Sequence, residues 1–139
     1  MIEQVLLDKG PLVAMLSSRD PYHEACLQVS KQLRGTLVTC WPVLTEAAWL
    51  LRTHSDGIQR LLAGVSTRLF RIAELPNDSA AWIATFLERY ATAEVQLADA
   101  ALVYLATHEK IETIFTTDRR HFSTFRLPNN RAFRILPEA

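Results

Sequence analysis

Residues 5–11 are Val5-Leu6-Leu7-Asp8-Lys9-Gly10-Pro11, a short apolar run that ends in an acid and a Gly-Pro pair. A run of this kind is typical of a buried parallel strand that enters a turn. Proline suits the first turn of the helix that follows, because its missing N–H is not needed there. The stretch therefore predicts a strand, a turn and a helix, in that order.

Strands and helices alternate along the rest of the chain. We expect strands at 5–7, 36–40, 113–117 and 132–136, with a weaker candidate at 69–73. We expect helices at 11–16, 42–53, 58–67 and 97–108. Two further helices are marked by their end signals: one is opened by Asp20-Pro21 and closed by Gly35, and the other is capped by Asn77-Asp78-Ser79 and runs to about Tyr90. This alternation predicts an α/β fold with a mainly parallel central sheet, and leaves the strand order open.

The composition is that of a packed globular protein. Of the 139 residues, 49% are hydrophobic and 22% are charged, which excludes disorder and predicts a single domain over residues 1–139. Lys and Arg together number 15, as do Asp and Glu, so the formal net charge is zero. A protein that binds nucleic acid by bulk electrostatics alone is therefore excluded, although a local basic patch is not.

The cysteines and the hydrophobic pattern predict a reduced, cytoplasmic location. Cys26 and Cys40 cannot form a disulfide framework, and the sequence contains no CxxC motif. It also shows neither a signal peptide nor an apolar run near 18 residues, so we expect no membrane association.

Four acids lie in apolar surroundings. Asp8 and Asp118 each end a predicted strand, and ligands of open α/β sheets bind outside the carboxyl ends of the strands. Glu46 and Asp99 lie on predicted helices, with apolar residues three or four positions away on the same face. Both helical carboxylates are therefore expected on or beside a buried stripe.

Each acid also has a purely structural interpretation. Asp99 and Asp118 could be helix N-caps, and Asp8 could cap a helix or form an Asx-turn. Glu46 could pair with an arginine, since an ionised carboxylate on an apolar face is costly unless it is paired or bound to a metal. Four separate structural explanations are needed, whereas one shared site explains all four acids.

That shared site is a negatively charged pocket for a hard cation. Mg²⁺ and Mn²⁺ prefer oxygen ligands, keep several waters and commonly share their site with a substrate phosphate. Such an ion lowers the pKa of bound water and neutralises charge on a phosphoryl oxygen. The pattern favours metal-assisted phosphodiester hydrolysis, which needs no Ser-His-Asp or Cys-His arrangement.

Four segments together resemble a known family, the PIN-domain ribonucleases, which include the toxins of VapBC-type toxin–antitoxin pairs. The segments are DKGPLVAMLSSRDPYHEAC (8–26), VLTEAAWLL (43–51), LADAALVYLA (97–106) and TIFTTDRRHF (113–122), and the ending FRILP (133–137) fits the last strand. The resemblance implies a three-layer α/β/α sandwich around a parallel sheet. It also implies RNA cleavage with Mg²⁺ or Mn²⁺, usually by homodimers, and silencing of the toxins by a cognate antitoxin.

The resemblance also assigns roles to residues. The family's four catalytic and metal-binding acids fall on Asp8, Glu46, Asp99 and Asp118. Thr117 matches a hydroxyl residue that helps to position the site.

Three positions depart from the family pattern. Lys9 follows the first acid where a small or hydroxyl residue is usual, Gln96 stands where many relatives have a further acid, and His121 replaces a frequent Asp. Together they make the pocket less negative, and they remove none of the four acids.

Arginines predominate after the last of the four acids. Arg119 and Arg120 directly follow Asp118, and an arginine fork suits a bidentate contact with an RNA phosphate. A solvated arginine-rich edge, or a surface that pairs with an acidic antitoxin, is an equally good interpretation.

Two functions other than a nuclease are also compatible with parts of this pattern. The first is a non-catalytic or very slow RNA- or protein-binding module of the same fold, in which the Lys9 ammonium takes part of the cation's place. Whether Lys9 points into the pocket discriminates between this module and the nuclease. The second is an aspartyl-nucleophile phosphatase, a class that requires a second Asp two residues after the first, where this chain has Gly10.

Overall fold

The computed structural model describes residues 3–138, which contain a five-stranded parallel sheet. The strands in chain order are β1 (Gln4–Leu7), β2 (Thr36–Thr39), β3 (Arg71–Ile72), β4 (Thr113–Phe115), β5 (Arg126–Leu127), β6 (Arg131–Ala132) and β7 (Arg134–Leu136). The sheet order is β3-β2-β1-β4-β7, and every neighbouring pair is parallel. The apolar run at the start of the chain is thus the central strand.

Seven α-helices connect and flank the strands. They are α1 (Lys9–Leu16), α2 (His23–Gln32), α3 (Trp41–Leu50), α4 (Gly57–Ser66), α5 (Ser79–Arg89), α6 (Leu97–Glu109) and the single turn α7 (Arg119–Phe122). None of the helices within residues 3–138 is long and apolar enough to cross a bilayer.

Both faces of the sheet are covered by helices. Along β1, Val5 and Leu7 pack on one side with residues of α1–α4, whereas Leu6 packs on the other side with residues of α5 and α6. Successive side chains of a strand point to opposite faces, so a continuous apolar strand needs a layer of helices on each side. The predicted α/β class with helices on both faces of a parallel sheet is confirmed.

Helix α6 is buried over most of its length. All nine residues from Ala98 to Ala106 are buried, with small and large side chains interleaved. A helix that is apolar on all sides is expected to lie inside a protein. Its first turn reaches the edge of the sheet at which β1 and β4 end, and this places Asp99 there.

The end of the chain differs from the expected single strand at 132–136. β6 pairs antiparallel with β5 in a separate two-stranded ribbon, and only β7 joins the main sheet, next to β4. The α7 turn and β5 were not predicted. Elements of two to four residues carry too little periodicity to be recognised, and their pairing depends on distant strands.

Candidate active site

The predicted site residues Asp8 and Asp118 follow neighbouring strands. Leu7 of β1 pairs with Phe115 of β4, so Asp8 leaves the sheet beside Thr116. The Asp8 backbone N–H donates to the Phe115 carbonyl over 3.0 Å, and only 2% of Asp8 is exposed. The carboxyl ends of β1 and β4 therefore bring residues 110 positions apart into one place.

Asp8 is held by two hydrogen bonds. The Lys9 backbone N–H donates to its Oδ1 over 2.8 Å, which makes Asp8 the N-cap of α1, and the Thr116 hydroxyl donates to its Oδ2 over 2.7 Å. Thr116 Oγ1 also accepts from the Asp118 backbone N–H over 3.0 Å. This buried hydroxyl links the two acids, and it is not among the residues predicted from the sequence. Its register position beside Asp8 is the signal that identifies it.

Asp99 lies in the first turn of α6 with 4% of its surface exposed. Its Oδ2 accepts from the Gln96 backbone N–H over 3.1 Å, so it belongs to a capping box rather than being the N-cap itself. Burial raises the pKa of Asp99 and that of Asp8, and the hydrogen bonds from Gln96 and from Thr116 and Lys9 lower these values in part. The charge of Asp99 raises the pKa of Asp8 further, because the two carboxylates face the same pocket.

Glu46 projects from α3 toward Lys9, the first residue of α1. The Lys9 Nζ lies 2.9 Å from Glu46 Oε1, and this oxygen is buried without a hydrogen bond of acceptable geometry. Burial lowers the pKa of Lys9, but Glu46, Asp8 and Asp99 outweigh that effect and raise it overall. The ammonium thus points into the pocket, and the partner of Glu46 is a lysine rather than the arginine considered above.

Asp118 is paired with His121. It is the N-cap of α7, accepting from the His121 backbone N–H over 3.1 Å, and its Oδ2 lies 2.7 Å from His121 Nδ1. The other ring nitrogen lies 2.7 Å from the Ala93 carbonyl oxygen. Since both nitrogens face acceptors, each is best satisfied as a donor, and the contacts with Asp118 and then Ala93 raise the pKa of His121.

The donor chemistry of this pocket fits a hard divalent cation. All four candidate ligands are carboxylates, and one buried oxygen, Glu46 Oε1, lacks a hydrogen bond. Within residues 3–138, however, no three acidic, histidine or cysteine side chains converge closely enough to hold an ion. Glu46 and Asp118 each contact a basic side chain of the protein itself, so a bound ion has to share these carboxylates with Lys9 and His121 or displace those side chains.

Thr117 packs against the first turn of α1. A Cβ atom at Gly10 would collide with the Thr117 hydroxyl, so a larger residue at position 10 requires the Thr117 side chain to shift. The second Asp that the phosphatase alternative requires at this position would displace the same side chain.

The arginines after Asp118 separate into two groups. Arg119 and Arg120 begin α7 and are exposed next to the acids, with Arg119 Nη1 donating to the Pro137 carbonyl over 2.6 Å. Arg131 pairs with Glu112, and Arg134 pairs with Glu138 and Glu3. Only the first group adjoins the candidate site.

Comparisons with known proteins identify the family and the fold. A family model described as the PIN domain matches residues 5–126. Ribonuclease VapC26 of Mycobacterium tuberculosis is 31% identical over an alignment 138 residues long, and this alignment covers 96% of this chain and 100% of that protein. The crystal structure of M. tuberculosis VapC20, described as a sarcin-ricin loop cleaving toxin, has a TM-score of 0.76 at 18% identity and covers 84% of this chain and 93% of that one. That structure supports the fold, and the full-length relative supports the family.

Proposed function

We propose that this chain is a divalent-metal-dependent endoribonuclease that hydrolyses RNA phosphodiester bonds. The chain belongs to the PIN-domain family and is a homologue of VapC-type ribonucleases, and the proposal proceeds from this membership. The observation that carries this proposal is the pair of buried carboxylates, Asp8 and Asp99, at the carboxyl edge of the sheet. Burying two acids at the same edge of the sheet is costly for folding, so the arrangement favours a binding role over a structural one.

The residues proposed to bind the metal and act in catalysis are Asp8, Glu46, Asp99 and Asp118. A bound Mg²⁺ or Mn²⁺ would supply an activated water and neutralise charge on a phosphoryl oxygen. The chain's own contribution is orientation. Thr116 and the Lys9 backbone fix the Asp8 carboxylate, and the Gln96 backbone fixes that of Asp99. The two acids therefore need little reordering when they become ligands.

The residues proposed to contact the RNA are Thr117, Arg119 and Arg120. All three follow β4 and adjoin Asp118, and the two arginines are exposed. Arginine forks suit phosphate oxygens, so this segment is placed to hold the strand against the acids.

We further propose that the protein is the toxin of a toxin–antitoxin pair, that a cognate antitoxin silences it, and that it forms a homodimer. The proposal that the protein is a toxin is supported by analogy with VapC20, whose structure is described as that of a toxin. Two exposed tryptophans of α3, Trp41 and Trp49, support self-association, because large exposed aromatic side chains are enriched in interfaces.

A cleavage assay tests the nuclease proposal. A mixed RNA pool is incubated with the wild type, Asp99→Asn or Asp78→Asn, each with Mg²⁺, Mn²⁺ or EDTA. Asp78 is the matched control, because it is an exposed aspartate whose side chain caps no helix N–H. We expect metal-dependent cleavage by the wild type and the control, and at least a hundredfold loss in Asp99→Asn. Full activity of folded Asp99→Asn would contradict the four-acid site.

The second candidate function is a non-catalytic or very slow RNA- or protein-binding module. It is favoured by the contact between Lys9 and Glu46, because the ammonium takes part of the cation's place there. In that case folded wild-type protein would bind RNA without cutting it under any of these metal conditions.

A further inference from the structure

Lys9 is a lysine in direct contact with one of the candidate metal ligands. Its Nζ lies 2.9 Å from Glu46 Oε1, and the charges of Asp8 and Asp99 also act on it. About a third of the Lys9 side chain and a quarter of the Glu46 side chain are exposed, at 30% and 26%. The pair is therefore close enough to the surface for an ion from solvent to reach it.

The charges in the pocket are only partly balanced. Glu46 contacts the Lys9 ammonium and Asp118 contacts the His121 ring, whereas within residues 3–138 neither Asp8 nor Asp99 forms an ion pair. Without Lys9, the metal-free protein would carry an additional uncompensated charge beside two buried carboxylates.

A metal ion that binds Glu46 Oε1 has to share this oxygen with the Lys9 ammonium or displace it. The oxygen is occupied by the ammonium at a contact distance, although that contact lacks hydrogen-bond geometry. Lysine is a flexible, strongly hydrated point charge, so its ammonium can move away from Glu46 when a metal ion enters.

We propose that Lys9 is a built-in counter-ion that competes with the divalent cation for Glu46. It stabilises the metal-free fold and raises the cation concentration needed to fill the site. This inference rests on the proposed function, because it assumes that the acids bind the metal.

The size of the effect follows from Coulomb's law. Charges of +1 and +2 separated by ~6 Å change a binding constant about tenfold even at the dielectric constant of water. Removing the lysine charge should therefore tighten Mg²⁺ and Mn²⁺ binding by about tenfold or more.

The test is thermal unfolding of the protein alone, titrated with MgCl₂ or MnCl₂, together with calorimetric titration of the same ions. The variants are Lys9→Met and Lys9→Gln, which remove the charge, and Lys9→Arg, which keeps it. Lys31→Met is the matched control, because Lys31 is an exposed lysine of α2. We expect both neutral variants to unfold at lower temperature than the wild type in EDTA, and to reach half-saturation at about a tenth of the cation concentration.

Lys9→Arg and Lys31→Met should titrate like the wild type. Equal affinities in the wild type and the folded neutral variants would overturn the competition and leave the nuclease proposal intact. A cation-dependent shift that persists when Asp99→Asn is added to Lys9→Gln would place the ion outside the acid site and contradict the proposed function itself. Absence of any shift in every variant would overturn both proposals.

Discussion

Burial of a ligand carboxylate works against the stability of the metal-free protein. Asp99 is almost fully buried, and desolvation raises its pKa more than its hydrogen bond with Gln96 lowers it. A raised pKa in the folded state means that this group's contribution to stability is fully present below its ordinary pKa of 3.8 and is lost as the pH rises through the folded value. Ionised Asp99 therefore destabilises the metal-free fold at neutral pH.

Asp99→Asn should consequently raise the melting temperature in EDTA at pH 7.5, and this gain should shrink as the pH falls toward 4.5. The Asn side-chain oxygen can still accept from the Gln96 N–H, so the first turn of α6 keeps its hydrogen bond. Circular dichroism melts across the pH series measure the effect, with Asp78→Asn as the control. A loss of stability at pH 7.5, or a gain independent of pH, would show that desolvation of Asp99 is not the dominant cost.

At the scale of elements, the site depends on the ends of β1 and β4 being tied together. The Thr116 hydroxyl donates to Asp8 and accepts from the Asp118 N–H, and Thr116 is fully buried. Two elements that are distant in sequence thus share one hydrogen-bond network. Thr117, the next residue, is half-buried and contacts α1 instead.

Thr116→Val should lower the free energy of unfolding by about 1–3 kcal/mol, because it leaves the Asp118 N–H and one Asp8 oxygen without a partner. It should also reduce RNA cleavage, since Asp8 and Asp118 lose their common anchor. Thr117→Val is the adjacent control and should change stability by less than about 0.5 kcal/mol. Urea denaturation together with the cleavage assay measures both effects, and equal stabilities of the two variants would argue against the Thr116 link.

At the scale of the whole molecule, α3 presents two large aromatic side chains to solvent. Trp41 and Trp49 are 55% and 64% exposed and lie eight residues apart, on the same side of the helix. Arg52 stacks on the Trp49 ring at 3.7 Å. This surface is the one we associate with the proposed homodimer.

Sedimentation equilibrium of the wild type should therefore give the mass of a dimer. The double variant Trp41→Ser/Trp49→Ser should shift this equilibrium toward the monomer by at least tenfold in dissociation constant. Leu69→Ser is the control, since Leu69 is equally exposed but lies outside α3. A wild type that is monomeric at every concentration would contradict the homodimer, and an unchanged double variant would contradict this surface.

Much of the fold followed from local pattern. The apolar run 5–7 with its Gly-Pro stop predicted β1 and α1, and the alternation of elements predicted the parallel class, because periodicity and turn residues act within a few positions of the chain. The four acids stood out for the same reason, since each has an apolar neighbourhood that is visible in the sequence.

The partners of these acids were decided by tertiary structure. Lys9 meets Glu46 because α1 packs against α3. Thr116 meets Asp8 because β4 pairs with β1. His121 meets Ala93 because α7 lies near the segment before α6. Contacts between residues 28 to 108 positions apart depend on strand order and helix packing, which no local periodicity encodes. The sequence alone determined which side chains could form the site and that Asp118 lies three residues before His121, whereas the packing of distant elements determined that Glu46 meets Lys9 and that Asp8 meets Thr116.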